Sequence, residues 1–461
     1  MEQVTVEDLL IATGGRLLNG NPDRPVSHIR LDSRQVQPGD LFVPIIGEKV
    51  DGHLFIPQVV EAGAAAVLTS EHDEPLDRES AVAWIRVSDT KGALQDIGRY
   101  LRARLTLPLV GVTGSVGKTT TREMIAAALS AKYRVYKTPG NSNSQVGVPI
   151  TISEISKEDE VGVIELGMSE PGELTVIAQI AKIDMAVITN IGITHIEQLG
   201  SRENIYREKL TIQDGLKDGG VLILNGDDDM LCHTKGKESV TTIYYGTGEN
   251  CDFRAEEIRL HDGKAEFTVV HDGKRQHVVL SVMGRHNVMN ALAAIAVCDR
   301  CGMTMEEAAA GLLSFTGFKN RQQIYNGSRL TILDDSYNAS PASMKASIDV
   351  FMELKKGNRH VAVLADMKEL GEKVLDYHRE VGIYAAKAGI DQIITLGSAC
   401  HALCEGASSV SRVPTVEFEN KEAMVSYLET FLRDGDCILF KGSNSMGLSE
   451  VAAHFIAKAG I

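Results

Sequence analysis

The stretch Gly111-Val-Thr-Gly-Ser-Val-Gly-Lys-Thr-Thr120 constrains this chain more than any other. It follows the apolar run Leu105, Leu107, Leu109 and Val110 and precedes Arg122-Glu-Met-Ile-Ala-Ala-Ala-Leu129, whose spacing is helical. Strand, glycine-rich turn and helix form the setting that a phosphate-binding loop requires. Gly114 and Gly117 let the backbone wrap closely, so its N–H groups point at phosphate oxygens near the positive end of the helix dipole. Lys118 adds a point charge at the β- and γ-phosphates, and the Thr119 hydroxyl reaches Mg²⁺. The strict loop carries its first Gly five residues before its second, where this chain has Val112, so the form is the shorter Gly-x-x-Gly-Lys-Thr. Gly114, Ser115, Val116, Gly117, Lys118, Thr119 and Thr120 are therefore the candidate nucleotide contacts.

A chain of 461 residues is too long for one core and suggests about three domains. A net charge of −15 argues against nonspecific nucleic-acid binding, and an anionic substrate must be held by local cations and N–H groups. The 7 cysteines are scattered and odd in number, which fits a reducing compartment with no disulfide framework. Cys298-x-x-Cys301 and Cys400-x-x-x-Cys404 have spacings compatible with zinc. The first pair closes the Ala/Leu/Ile-rich segment Ala291–Val297, where i,i+3 residues share a helix face, so buried thiols are expected. Met1-Glu-Gln-Val-Thr-Val-Glu-Asp8 lacks a secretory pattern and no run approaches 18 apolar residues, so the expectation is a cytoplasmic protein without a membrane segment.

The fold class expected is α/β in three domains. These are a small N-terminal α/β substrate domain (1–105), a central P-loop domain with a parallel sheet (106–315) and a C-terminal Rossmann-like domain (316–461). In the first, Ser33 and Arg34 offer a hydroxyl and a guanidinium suited to a phosphate or a uracil edge, and are equally compatible with a turn. Lys91–Arg104 reads as an amphipathic helix. In the second, Pro139-Gly-Asn-Ser-Asn-Ser-Gln-Val-Gly-Val-Pro149 is a polar Gly/Asn loop of a length that is more often functional than filler. Val161–Glu165 and Asp184–Asn190 are strands with polar ends, and His195 follows five residues after Asn190. Polar groups at strand C-terminal ends lie where open α/β sheets bind ligands, which makes Glu165 and His195 candidate ligands of a metal near the γ-phosphate. Lys209 lies in the charged helical segment Arg202–Ile212, where spacing alone reads as a solvated lysine. Residues 241–282 become Thr/Tyr/Val-rich with His-Asp-Gly turns, as hairpins appended to the nucleotide domain. Gly284-Arg-His-Asn-Val-Met-Asn290 opens an Ala-rich helix with Asn287 and Asn290 on its first turns. In the third, Leu330–Asp335, His360–Ala365, Gln392–Gly397 and Asp436–Lys441 are strands entering loops.

One triphosphate site with polar strand ends beside it and two flanking domains supports an ATP-consuming enzyme assembled between domains. A nucleotide-switch ATPase is the competing class. It would usually carry a strand-borne Asp, whereas the strand-end acid here is Glu165, and a third large domain is better explained by a second substrate.

With these motifs in hand the chain resembles the Mur ligases, ATP-dependent amide-forming enzymes of peptidoglycan precursor synthesis. The resemblance covers all three domains. In the central one it rests on Thr113–Thr120, Glu165-Leu-Gly167, Thr189-Asn-Ile-Gly-x-x-His195 and Gly284-Arg-His-Asn287 with Asn290. Asp32-Ser-Arg34, Pro38-Gly-Asp-Leu-Phe42 and Asp51-Gly-His53 look like the N-terminal domain of the third and fourth amino-acid-adding members. Asp334-Asp-Ser-Tyr-Asn-Ala-Ser-Pro341, Asn141-Ser-Asn143 and Lys441-Gly-Ser443 look specific to the last of these, and the Asp-Asn-Pro-Arg motif of a diaminopimelate-adding sibling is absent. The chain departs from relatives at Ser144 and at Met168-Ser-Glu170.

The resemblance implies joining of D-alanyl-D-alanine to UDP-N-acetylmuramoyl-tripeptide through an acyl phosphate, using ATP and Mg²⁺, with two ions expected. It implies that Thr119, Glu165, His195 and Lys209 hold metal, Lys209 as a carbamate, and that Lys118 acts on the transferring phosphoryl group. Asn287, Asn290, Arg321 and Asp335 are expected at the nucleotide. Ser33, Arg34, Asn141, Asn143, Tyr337, Asn338 and Lys441 are expected at the other substrates, with Asp335 and Tyr337 arriving on domain closure. A monomer with no nucleic-acid partner completes the expectation.

Overall fold

The computed structural model describes residues 4–77, 79–355 and 358–459; the N-terminal reading above falls in part on residues 1–3, outside this range. Within it the chain forms three large sheets with helices against them. The first has the strand order Arg16–Asn19, Ala83–Arg86, Ala66–Thr69, Leu41–Phe42, Ile29–Arg30, parallel except for the antiparallel edge strand Arg16–Asn19.

The helix Thr90–Ala103 joins this unit to the central one. Its N-terminus is capped by Asp89, whose carboxylate accepts from the N–H groups of Lys91 and Gly92. Leu94, Ile97 and Leu101 form its buried face. Gly98 lets the helices Gly147–Ser153 and Glu173–Ala181 come close, since a Cβ there would lie 2.9 Å from Pro149 Cβ and 3.1 Å from an Ile180 methyl. Arg102, fully buried, donates to the carbonyls of Ala181 and Lys182. One apolar cluster runs from Val4 through to Leu231, so the N-terminal unit packs on the central sheet through a shared core.

The central sheet has nine strands in the order Lys274–Met283, Lys264–His271, Phe253–His261, Thr241–Gly246, Val221–Asn225, Met185–Ile188, Leu109–Thr113, Val161–Glu165, Val135–Lys137. The inner strands are all buried and parallel, as their unbroken apolar runs require. The two hairpins expected in this segment form, and they are continuous with this sheet. Thr241–Gly246 pairs parallel to Val221–Asn225, and an antiparallel meander extends the edge. Its turns, Asp262-Gly263 and Asp272-Gly273, have positive φ at both residues, the twist-compatible hairpin geometry. A period-two pattern shows that strands exist but not that a parallel sheet receives them.

The third sheet is Gln323–Asn326, Thr331–Asp334, Cys437–Lys441, His360–Ala365, Gln392–Leu396, Thr415–Phe418, parallel except for its first strand. Separate apolar clusters cover its two faces, the doubly wound arrangement expected. All seven cysteines are free, and Cys298, Cys400 and Cys404 are buried. No helix among the described residues is long and apolar enough to cross a membrane.

Candidate active site

The phosphate loop leaves the strand Leu109–Thr113 and enters the helix Lys118–Leu129. Gly114 (φ +148°) and Gly117 (φ +87°) hold backbone conformations that side chains disfavour, and a Cβ on Gly114 would lie 1.9 Å from Thr189 Oγ1. The neighbouring strand end braces the loop. Thr189 Oγ1 donates to the Val116 carbonyl at 2.7 Å, Ser115 N donates to the Asn190 carbonyl, and Gly192 N donates to Ser115 Oγ at 2.8 Å. Lys118 Nζ folds back onto the Gly114 carbonyl at 2.8 Å. Burial lowers its pKa and nearby Arg321 adds to the shift, against the opposing pull of Glu165.

Glu165 ends the strand Val161–Glu165 and is buried. Thr119 Oγ1 donates to its Oε2 at 2.9 Å, and Asn143 Nδ2 donates to its Oε1 at 2.8 Å. Arg122 is the neighbour that sequence reasoning missed. It is fully buried, with NH1 3.2 Å from Glu165 Oε2 and 2.9 Å from the Gly140 carbonyl, and NH2 2.5 Å from Glu123 Oε1. Its one sequence signal is its position four residues after Lys118, one turn along the same helix.

On the far side Thr121 Oγ1 donates to Asn290 Oδ1, Asn290 Nδ2 donates to Asn287 Oδ1, and Asn287 Nδ2 donates to the Met283 carbonyl. The C-terminal unit supplies the roof. Lys441 Nζ lies 2.5 Å from Asp335 Oδ2 and donates to the Asn338 carbonyl, and the Arg321 guanidinium lies 4.1 Å from the centre of the Tyr337 ring. Ser347 also bonds Asp335, and burial raises the pKa of adjacent Asp334.

These groups line one cleft of about 970 Å³ between the central and C-terminal units. It brings together Ser115, Val116, Gly117, Lys118, Thr119, Thr120, Asn143, Glu165, His195, Asn287, Asn290, Arg321, Asp335, Tyr337, Asn338 and Lys441. Asp335 and Tyr337 are thus already at the cleft. Gly114 shapes the loop from behind its lining. Asn141 is exposed beside the cleft, while Asn143 and Ser144 of the same loop reach in. Ser33 and Arg34 sit apart on the short helix Ser33–Gln35, where Ser33 Oγ donates to Gln58 and Arg34 is exposed and paired with Asp32 at 2.7 Å. That pairing holds the Asp32 carboxyl down at about 2.

Lys209 overturns the reading drawn from its spacing. It is buried, 2% exposed, and its Nζ makes no hydrogen bond or ion pair among the described residues. Burial holds its pKa well below 10.5, and the charge of Lys118 adds to the shift. The helix Arg202–Leu210 is charged overall but turns Ile205, Glu208 and Lys209 inward, which composition could not reveal.

Three family models match along the chain: Mur ligase family, catalytic domain over residues 25–102, Mur ligase middle domain over 112–298, and Mur ligase, glutamate ligase domain over 320–444. The UDP-N-acetylmuramoyl-tripeptide–D-alanyl-D-alanine ligase of Bacillus subtilis is 38% identical over 98% of both chains, and that of Escherichia coli 33% identical over 98% of both. Among solved structures, MurF from Acinetobacter baumannii superimposes with a TM-score of 0.88 at 31% identity over 98% of both chains. MurF from Thermotoga maritima in complex with ADP gives 0.82 at 28% identity over 94% of this chain and 98% of that one. The chain belongs to the Mur ligase family.

Proposed function

We propose that this chain is an ADP-forming acid–D-amino-acid ligase that joins D-alanyl-D-alanine to UDP-N-acetylmuramoyl-tripeptide for peptidoglycan synthesis. The observation that carries the reading is the cleft itself. It joins a phosphate loop on one domain to a cation–carboxylate–aromatic wall on another, in a chain whose full-length relatives bear that enzyme's name.

The terminal carboxylate of the tripeptide attacks the γ-phosphorus of ATP. A carboxyl O–P bond forms, the β,γ-bridging P–O bond breaks and ADP leaves. The amine of the dipeptide then attacks the acyl carbon. A C–N bond forms, the acyl C–O bond breaks, phosphate leaves and the amine proton passes to solvent. Lys118 leaves the Gly114 carbonyl for the phosphates, where it and the loop N–H groups offset charge on the transferring group. Asn287, Asn290 and Arg321 hold the nucleotide. Asp335, Tyr337, Asn338 and Lys441 receive the dipeptide or nucleotide from the C-terminal side, and Asn143 with Asn141 borders the tripeptide. Ser33 and Arg34 face the UDP end, Arg34 exchanging Asp32 for a phosphate. The cleft excludes water from an acyl phosphate that water would destroy.

The hard oxygen donors Thr119 and Glu165, 2.9 Å apart, fit Mg²⁺. Bound there, Mg²⁺ supplies charge neutralisation at the phosphates. His195 and Lys209 would hold a second ion. The Lys209 amine, its pKa lowered by burial and its nitrogen without a hydrogen bond among the described residues, suits attack on CO₂, which forms an N–C bond, releases a proton and leaves a carbamate carboxylate. A monomer working in the cytoplasm, divided near residues 105 and 315, completes the reading.

Mass spectrometry of a reaction containing ATP, Mg²⁺, UDP-muramoyl tripeptide and D-Ala-D-Ala tests it. The expected product is the UDP-linked pentapeptide. A product extended by a single amino acid from a mixed pool, with none from the dipeptide, would overturn it.

A further inference from the structure

His195 ends the loop that follows the strand Met185–Ile188, and it has a left-handed backbone (φ +62°). Its neighbours lean on the C-terminal unit. Ile193 packs against that unit's apolar cluster, and the Glu197 N–H donates to the Glu369 carbonyl at 3.4 Å. Glu369, at the end of the loop after the strand His360–Ala365, is itself left-handed (φ +62°), a conformation a non-glycine residue keeps only when its surroundings hold it. Its carboxylate Oε2 lies 2.5 Å from His195 Nδ1. Despite that separation the geometry is not that of a directed hydrogen bond, so Nδ1 is a buried nitrogen without a hydrogen-bond partner. Nε2 has no partner among the described residues, and His195 lines the cleft.

We propose that Glu369 of the C-terminal unit is the positioning residue of His195, accepting its Nδ1–H so that Nε2 faces the metal, and thereby makes the second metal site complete only when the two units meet. The inference rests on the reading of His195 as a metal ligand. A carboxylate behind a ligating imidazole fixes its tautomer and orientation and raises its basicity. Here that carboxylate comes from the domain that also carries Asp335, Tyr337 and Lys441, so one contact links substrate-side closure to metal affinity. The water-sensitive acyl phosphate gives the link its purpose: the second ion would be held fully only under the closed roof.

The test reads Mn²⁺ binding by EPR with ADP present, on wild type, Glu369→Ala, Glu369→Gln, His195→Ala and the double alanine variant, each checked for folding by circular dichroism. Glu369→Ala should weaken the second Mn²⁺ by about tenfold, the usual effect of losing such a partner. Glu369→Gln, which keeps an acceptor oxygen, should fall between, and Glu369→Ala should add nothing in the His195→Ala background. Wild-type Mn²⁺ affinity in Glu369→Ala, with His195→Ala impaired, would overturn the proposal alone, as would losses that add in the double variant. Unchanged affinity in His195→Ala would overturn the ligand reading and this proposal with it.

Discussion

Asn190 grips Val116 by both ends of its backbone: Oδ1 accepts from the Val116 N–H at 3.0 Å, and Nδ2 donates to the Val116 carbonyl at 2.8 Å. One side chain from the adjacent strand end thus fixes the crest of the phosphate loop before any nucleotide arrives. Each such bond contributes about 1 kcal/mol net. Asn190→Ala should therefore raise the Kd for ATP by roughly tenfold or more, measured by calorimetry, with little change in thermal midpoint.

Gly114→Ala should be more severe. A methyl group there meets Thr189 Oγ1 at 1.9 Å, Thr189 Cβ at 3.0 Å and Thr189 N at 3.1 Å. The backbone also has φ +148°. Nucleotide binding should be lost, and adding Thr189→Ala should restore it only in part, because Cβ and backbone remain. Full recovery in the double variant would show that the hydroxyl alone makes the site tight.

Lys209 gives a pH dependence whose sign is fixed. Burial lowers its pKa in the folded protein well below 10.5, so the unfolded chain binds more protons between the two values. In that window stability rises with pH, and below it the full cost of burial is felt. In CO₂-free buffer Lys209→Met should be more stable than wild type at pH 7, and the gain should shrink as pH approaches about 10.5. Urea midpoints across pH read this directly. A gain constant with pH would mean that burial does not lower the pKa of Lys209. The same variant should lack ligase activity. Lys209→Ala should regain some activity with short-chain carboxylic acids, which stand in for the missing carbamate.

The Lys441–Asp335 pair is buried, at 2% and 11% side-chain exposure. Removing one partner leaves an uncompensated charge, a loss of about 3–5 kcal/mol. Lys441→Ala should therefore lose stability as well as activity. Asp335→Asn with Lys441→Met should recover most of the stability and none of the activity, as compared by chemical denaturation and turnover.

Much of the site was legible because its determinants are local. Strand, loop and helix around Gly114–Thr120 are contiguous, and strand-end polarity picked out Glu165 and His195 without any knowledge of their contacts. What stayed hidden needs two distant segments to meet. Arg122 reads as one more polar residue on a helix until Gly140, Glu165 and Glu123 close around it. Glu369 lies in an unremarkable loop until the domains meet at His195. The charge-rich composition of Arg202–Leu210 pointed the wrong way for Lys209, because burial is decided by which face the sheet and neighbouring helix cover. The strands from Thr241 onward announced themselves by alternation, but their attachment to a parallel sheet is a tertiary fact with no local signature.

Phosphate release from ATP with Mg²⁺ and UDP-muramoyl tripeptide, run with and without D-Ala-D-Ala and repeated with Lys118→Ala, tests the ligase assignment most directly. Release should require both the tripeptide and the dipeptide, and should disappear in a Lys118→Ala protein of unchanged fold. Release indifferent to every amino-acid acceptor, or near-normal turnover without Lys118, would contradict it.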